Sequence, residues 1–281
     1  MSAPQTEMNT LCSAGDEAEA QGGTVTAKFD ATRAAWRAFL DHEPDMTPAL
    51  IAAVRDGSDP EQIARAFTDA LASYAPDPVA VATLRNSTAA ALLPELRAEF
   101  NKSTEANYEV ARQAYNKAAA ALVKALEVVD PDTDPAALMS APEASRKAWA
   151  SIDVLTAEVE QAADRLAIAA RHLGIDMAAS GAQFALTCNA QGHEADKRRA
   201  VWAAWDEANG RGGRWAAMHR LGVRLEAPKA SEHKPYRRPK PYETRYIHSA
   251  GSGFSGLRQV EYDPETNTPA GAFPAGSTVG L

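Results

Sequence analysis

The chain reads as an all-α protein: a multi-helix body around a long antiparallel, coiled-coil-like hairpin, with a disordered N-terminus and an extended C-terminal arm. Three observations predict this. Two Ala-rich segments, Pro94–Val129 and Glu143–Leu173, keep a helical apolar period and are joined by the turn sequence Asp130-Pro-Asp-Thr-Asp-Pro135. From Pro228 onward that period stops, and Pro, Gly, Ser, Thr and Tyr dominate. The 281 residues are 45% hydrophobic and 23% charged, enough apolar material for a core of useful size.

In the second arm of the hairpin Ile152, Leu155, Val159, Ala162, Leu166, Ala169 and Leu173 repeat at alternating steps of three and four, the a and d positions of a heptad. Charges such as Glu160 fall outside this seam. The first arm carries Leu96, Phe100, Thr104, Tyr108, Ala111, Tyr115, Ala118, Leu122, Ala125 and Val129. Its early steps are four, four and four, a wider period that relaxes the left-handed supercoil the later heptads favour. Pro94 suits the first turn of a helix, and Pro142 suits the same place in the second arm. Alanine in the seam allows close approach but buries little area, so the pair needs further helices or self-association to steady it. The alternative is two core helices of a larger bundle.

The other elements follow in order. Residues 1–27 are acidic and without period, and are expected to be a disordered tail. A region of short helices fills 28–93. Asp30 caps one carrying Trp36, Phe39 and Leu40, and a second runs from Asp45 to Arg55. Ser58-Asp-Pro-Glu61 opens a third, and Val79–Leu92 is helical up to Pro94. The hairpin occupies 94–173. Between 174 and 227 an irregular stretch to Gly192 precedes two amphipathic helices, Glu194–Ala208 and Trp215–Leu225, separated by Asn-Gly-Arg-Gly-Gly. The arm occupies 228–281.

Charge and composition narrow the function. A net charge of −8 argues against a duplex-binding body. No apolar run approaches the roughly 20 residues of a membrane span, and Met1–Gly23 lacks the basic and apolar regions of a signal peptide. The two cysteines, Cys12 and Cys188, make no disulfide framework. Cytoplasmic residence, or a place inside an assembly formed there, a virion included, is the expectation.

Catalytic and metal constellations are sparse. Asp130, Asp132 and Asp134 mimic the start of a calcium loop, but Pro135 stands where Gly is needed and Ala141 where a bidentate Glu is needed. Cys188 and His193 offer at most two zinc ligands. The glycines at 210, 212 and 213 lack the strand and Lys-Ser/Thr of a phosphate loop and read as a helix–helix turn. Gly251-Ser-Gly-Phe-Ser-Gly256 lacks the spacing of a nucleophile elbow. The six histidines are scattered. Neither enzyme activity nor a cofactor or metal is expected.

Two features stand out. Trp202, Trp205 and Trp215 lie among Lys197, Arg198, Arg199, Arg211, Arg214 and Arg220. They read either as indoles packing the C-terminal helices onto the hairpin or as an anchor patch for another protein, since Trp and Arg dominate binding hot spots. The second feature is residues 229–248. There Lys229, Lys234, Arg237, Arg238, Lys240 and Arg245 outnumber Glu232 and Glu243, and Pro235, Pro239 and Pro241 favour a stiff extended path. Tyr236, Tyr242 and Tyr246 are interleaved with the cations, a pattern fit to fill pockets on an acidic protein or on the chain's own acidic helices. A solvated linker is one alternative, and stacking on bases while cations meet phosphates is another, which the acidity of the remaining chain disfavours.

A helical body, a long hairpin and a Gly/Pro-rich basic arm together resemble virus- or phage-type assembly and accessory proteins. That resemblance implies a non-enzymatic structural or assembly protein whose hairpin spaces or oligomerises it and whose arm docks on a protein partner or a second copy. A nucleic-acid-associated protein using residues 229–248 is the alternative; a membrane is not expected as a partner.

Overall fold

The computed structural model describes residues 3–41, 47–55, 59–74, 78–179, 181–248 and 257–270. Several expectations lie wholly or partly outside them: the helix start at Asp45, Ser58, the Gly251–Gly256 loop and the end of the arm from 271. The fold is mostly helical, as the periodicity requires, and its contacts divide it into two compact units, Met1–Asn107 and Tyr108–Leu281.

The first unit holds α1 (Pro4–Ala20), α2 (Ala27–Asp41), α3 (Thr47–Arg55), α4 (Pro60–Tyr74) and the beginning of α5 (Pro78–Val128). Helix α1 occupies most of the expected N-terminal tail. Its inward positions are Met8, Cys12, Gly15 and Ala18, so only one large apolar side chain marks the period, which is why the sequence hides it. Gly15 is required: a Cβ there would run into the Phe29 ring of α2. The acidic residues of the segment have a use as well, because Asp16 and Glu19 neutralise the buried Arg33 at 2.8 Å each. Helix α2 is capped by Thr26, whose hydroxyl accepts from the Phe29 amide at 3.1 Å, and not by Asp30, which lies inside the first turn and pairs with Arg33. Trp36, Phe29, Leu96 and Phe100 fill this unit's core, with Trp36 Nε1 donating to Asn9.

The expected boundary at Pro94 is absent. Helix α5 begins at Pro78 and runs through Pro94, whose exposed ring costs the helix one backbone bond but leaves the apolar face unbroken.

The second unit holds the rest of α5, then α6 (Pro135–Leu138), α7 (Glu143–His172), α8 (Ala182–Thr187), β1 (Cys188–Asn189), α9 (Ala195–Glu207), α10 (Gly213–Arg220) and β2 (Arg224–Leu225). Asp134 caps α6 by accepting from the Ala136 amide, and Arg220 bridges Asp130 and Asp132 at 2.7 and 2.6 Å. From Tyr108 onward the seam residues of α5, like those of α7, are buried or half-buried and share one core, whereas Leu96 and Phe100 belong to the core of the first unit. The C-terminal elements share that seam. Trp215 of α10 lies 6.1 Å from the Tyr115 ring on α5 and donates its indole N–H to Glu160 on α7 at 2.8 Å. Tyr115 donates to the Thr187 carbonyl and Tyr108 to that of Pro228. A bundle core, fed by five helices, is the result.

Helix α10 is shorter than the expected Trp215–Leu225, because Gly222 turns the chain at φ +74° and β2 then pairs antiparallel with β1. After a 3₁₀ turn at Ala230–Glu232 the arm forms β3 (Glu243–His248), β4 (Leu257–Asp263) and β5 (Thr268–Pro269), an antiparallel sheet in the order β3-β4-β5. The arm is thus extended, but as a sheet with fixed register.

Candidate functional site

The basic-aromatic arm has its own docking surface on α8 and α9, built from aromatic rings first. Phe184 of α8 sits 4.8 Å from Trp202 and 5.1 Å from Tyr236, and Trp202 stacks on Tyr236 at 6.0 Å. Gly181 (φ +85°) makes room, because any Cβ there would collide with the Trp202 indole. The Trp202 N–H donates to the Arg237 carbonyl at 3.1 Å, so the arm's backbone is held as well as its side chains.

Charges fix the remaining positions. Arg238 lies over the Trp202 ring and forks onto Asp206 at 2.6 and 3.0 Å. Arg199 forks onto Asp263 at 2.8 and 2.9 Å, donates to the Lys240 carbonyl and lies 4.0 Å over Tyr242. Glu265, with only 4% of its side chain exposed, accepts from Arg198 at 2.6 Å, from Arg237 at 2.8 Å and from the Lys240 amide at 3.2 Å. The Arg199 guanidinium holds the Asp263 carboxyl below its ordinary range. Burial opposes ionisation of Glu265, yet the Lys240 amide and Arg198 outweigh it and its pKa is also lowered. Burial pushes the Tyr236 hydroxyl up.

The candidate residues therefore divide. Trp202, Trp205 and Trp215 are 2%, 8% and 0% exposed; they belong to the core, and in the folded chain they offer no face to a partner. Tyr236 packs against that core, and Arg237 and Arg238 pair within the molecule. Arg245 lies 4.8 Å over Tyr262 and donates to Asn267. Lys234, Lys240, Tyr242 and Tyr246 face outward, the two tyrosines 43% and 65% exposed. Phe184 and Asp206 complete the docking surface, and Asp263 and Glu265 the arm's side of it, without any local motif. Each meets the arm or α9 across tens of residues, and only Asp263-Pro-Glu265, a turn sequence, left a trace.

Beside the arm lies a cavity of about 730 Å³ lined by Arg112, Asn189, Lys229, Lys234 and Tyr236 among others. Cys188, in its wall, is buried and its thiol is pushed up to about 12 by that burial. His193 turns its Nε2 to the Leu221 carbonyl at 3.1 Å. Among the described residues no group of three His, Cys, Asp or Glu is placed to hold a metal ion, and no helix is long and apolar enough to cross a membrane.

These features define a mostly helical protein with a self-docked, sheet-forming arm. Compared with protein-family models, curated proteins and solved structures, the chain finds no match in any of the three.

Proposed function

We propose that this chain is a non-enzymatic structural or assembly protein, of the kind that builds virus- or phage-type particles in the cytoplasm. Its coiled-coil-like hairpin spaces or oligomerises it, and its arm docks on a protein. One observation carries the reading: the arm is anchored by its inner residues while Lys240, Tyr242 and Tyr246 stay exposed on or beside an ordered strand. Exposed aromatics next to cations on a rigid element are the material of a protein hot spot. The intramolecular pairing of Arg237, Arg238, Arg198 and Arg199 favours protein over nucleic acid, because those charges already have carboxylate partners.

The test compares the full chain with a Lys240→Glu/Tyr242→Ala/Tyr246→Ala variant, as bait and by light scattering. Loss of a bound protein or of self-association in the variant, with weak retention of wild type on a polyanion column, is expected. Strong, salt-sensitive retention that the variant loses would move the assignment to nucleic acid.

A further inference from the structure

The arm meets the body on one patch and reaches it across a gap. Among the described residues, its polar ties to the body from Tyr236 onward end on α9: Trp202 to the Arg237 carbonyl, Asp206 to Arg238, Arg199 to Asp263 and Arg198 to Glu265. Before the arm, the body holds the chain at Ala227, whose amide donates to Asn116 Oδ1 at 2.8 Å, and at Pro228, whose carbonyl accepts from Tyr108 at 2.9 Å. Between Pro228 and Tyr236 runs a connector with a single 3₁₀ turn, in which Lys229, Ser231, Glu232, Lys234 and Pro235 are exposed. Those five residues line the cavity of about 730 Å³, so the connector bridges a gap and packs on the core through little more than Ala230. His233 is half-buried there, and its Nδ1 has no hydrogen-bond partner among the described residues, a cost that the closed path carries.

We infer that the α8–α9 patch also receives the arm of a second copy, so that two chains exchange their arms reciprocally from Tyr236 onward. This rests on the reading of the arm as an interaction segment, and it names the partner and the surface. The argument for a second copy is the fit already present. Phe184 and Trp202 take the Tyr236 ring, and the forked pairs of Arg238 with Asp206 and Arg199 with Asp263 match this arm's sequence, whichever chain supplies it. Each docking contact of the single chain is repeated in the exchanged pair, and only the connector changes course. The seven residues from Lys229 to Pro235 span about 25 Å when extended, enough to leave one body for another. Straightening them gives up little packing and brings the unpaired His233 nitrogen to water. The sheet travels as one piece, because β3, β4 and β5 pair with one another. Reciprocal exchange supplies each body with one arm and closes at two chains.

The experiment measures mass by sedimentation and light scattering over a range of concentrations. It compares the full chain, its Asp206→Arg variant, its Arg238→Asp variant and an equimolar mixture of the two variants. Both side chains are exposed, so the variants should stay folded, which circular dichroism checks. Wild type should rise from the mass of one chain towards two. Either variant alone sets like charges together at every docking site, its own or a second copy's. In the mixture the native arm of the first meets the native α9 of the second, and the two reversed charges meet at the other site. A one-to-one pair should therefore form about tenfold or more tighter than either variant associates alone. A wild-type mass of one chain at every concentration overturns the inference. So does a mixture that associates no better than its components, since any dimer is then held elsewhere, as by the hairpin. If either occurs while the Lys240, Tyr242 and Tyr246 variant still loses a different protein, the broader reading stands and only the exchange falls.

Discussion

Glu160 shows how much one residue's meaning depends on what the chain brings to it. In sequence it lies outside the heptad seam of α7, a position for a solvated charge. In the fold it accepts the Trp215 indole N–H at 2.8 Å and the Arg214 guanidinium at 2.6 Å, and Arg214 in turn lies over both Trp205 and Trp215. Removing the carboxylate strands a buried donor, which costs about 1–3 kcal/mol. Glu160→Ala is therefore expected to lower stability by about 2 kcal/mol in urea unfolding, and Glu160→Gln, which keeps an acceptor, by less. The exposed Glu158→Ala should stay within about 0.5 kcal/mol; equal losses at 158 and 160 would refute the role given to the indole. Cys188 makes the same point for reactivity. Its buried thiol stays protonated at neutral pH, so alkylation by iodoacetamide should wait for unfolding. Rapid modification of native protein at Cys188 would contradict this burial.

At the scale of elements, the long helices were legible because large apolar residues recur on one face for many turns. Leu166 is fully buried on α7, and Leu166→Pro should remove a backbone bond, clash with the preceding turn and cost about 3 kcal/mol or more. The measurement is helix content by circular dichroism, and unchanged ellipticity would refute the placement of α7. Pro94 predicts the opposite sign. It sits inside α5 with its ring exposed, so Pro94→Ala restores a helical donor and loses little packing. A gain of about 2 kcal/mol is expected, since the helix penalty of Pro near 3 kcal/mol is partly offset by its restriction of the unfolded chain. A loss on thermal unfolding would mean that α5 is broken there. Helix α1 and strands β3 to β5 escaped sequence reading for physical reasons: α1 packs mostly through Cys, Gly and Ala, and β3 and β4, though of ordinary length, are mostly polar and separated by Gly/Ser-rich sequence.

For the whole molecule, the arm's hold on its body rests on Asp263 and Glu265, both with pKa values lowered by their cationic and amide partners. Groups with lowered folded-state values contribute stability that is complete above the unfolded carboxylate range, near pH 4, and is lost as pH falls through the folded values. Acidification below about pH 4 should therefore loosen residues 237–246, read by tryptophan emission and hydrogen exchange. Asp263→Asn with Glu265→Gln should already be loose at pH 7 and lack that transition; an unaltered acid transition in the double variant would rule these carboxylates out. The helical class, the apolar faces of α5 and α7, the turn at Asp130–Pro135 and the unusual character of residues 229–248 were legible in the sequence. Each of these is carried by neighbours within a few turns of chain. Tertiary contact alone settled that the tryptophans are core and that α9 holds the arm, partly through carboxylates of the arm's own β4–β5 region. Those outcomes depend on charges and rings meeting across tens of residues, and local periodicity carries no record of such meetings.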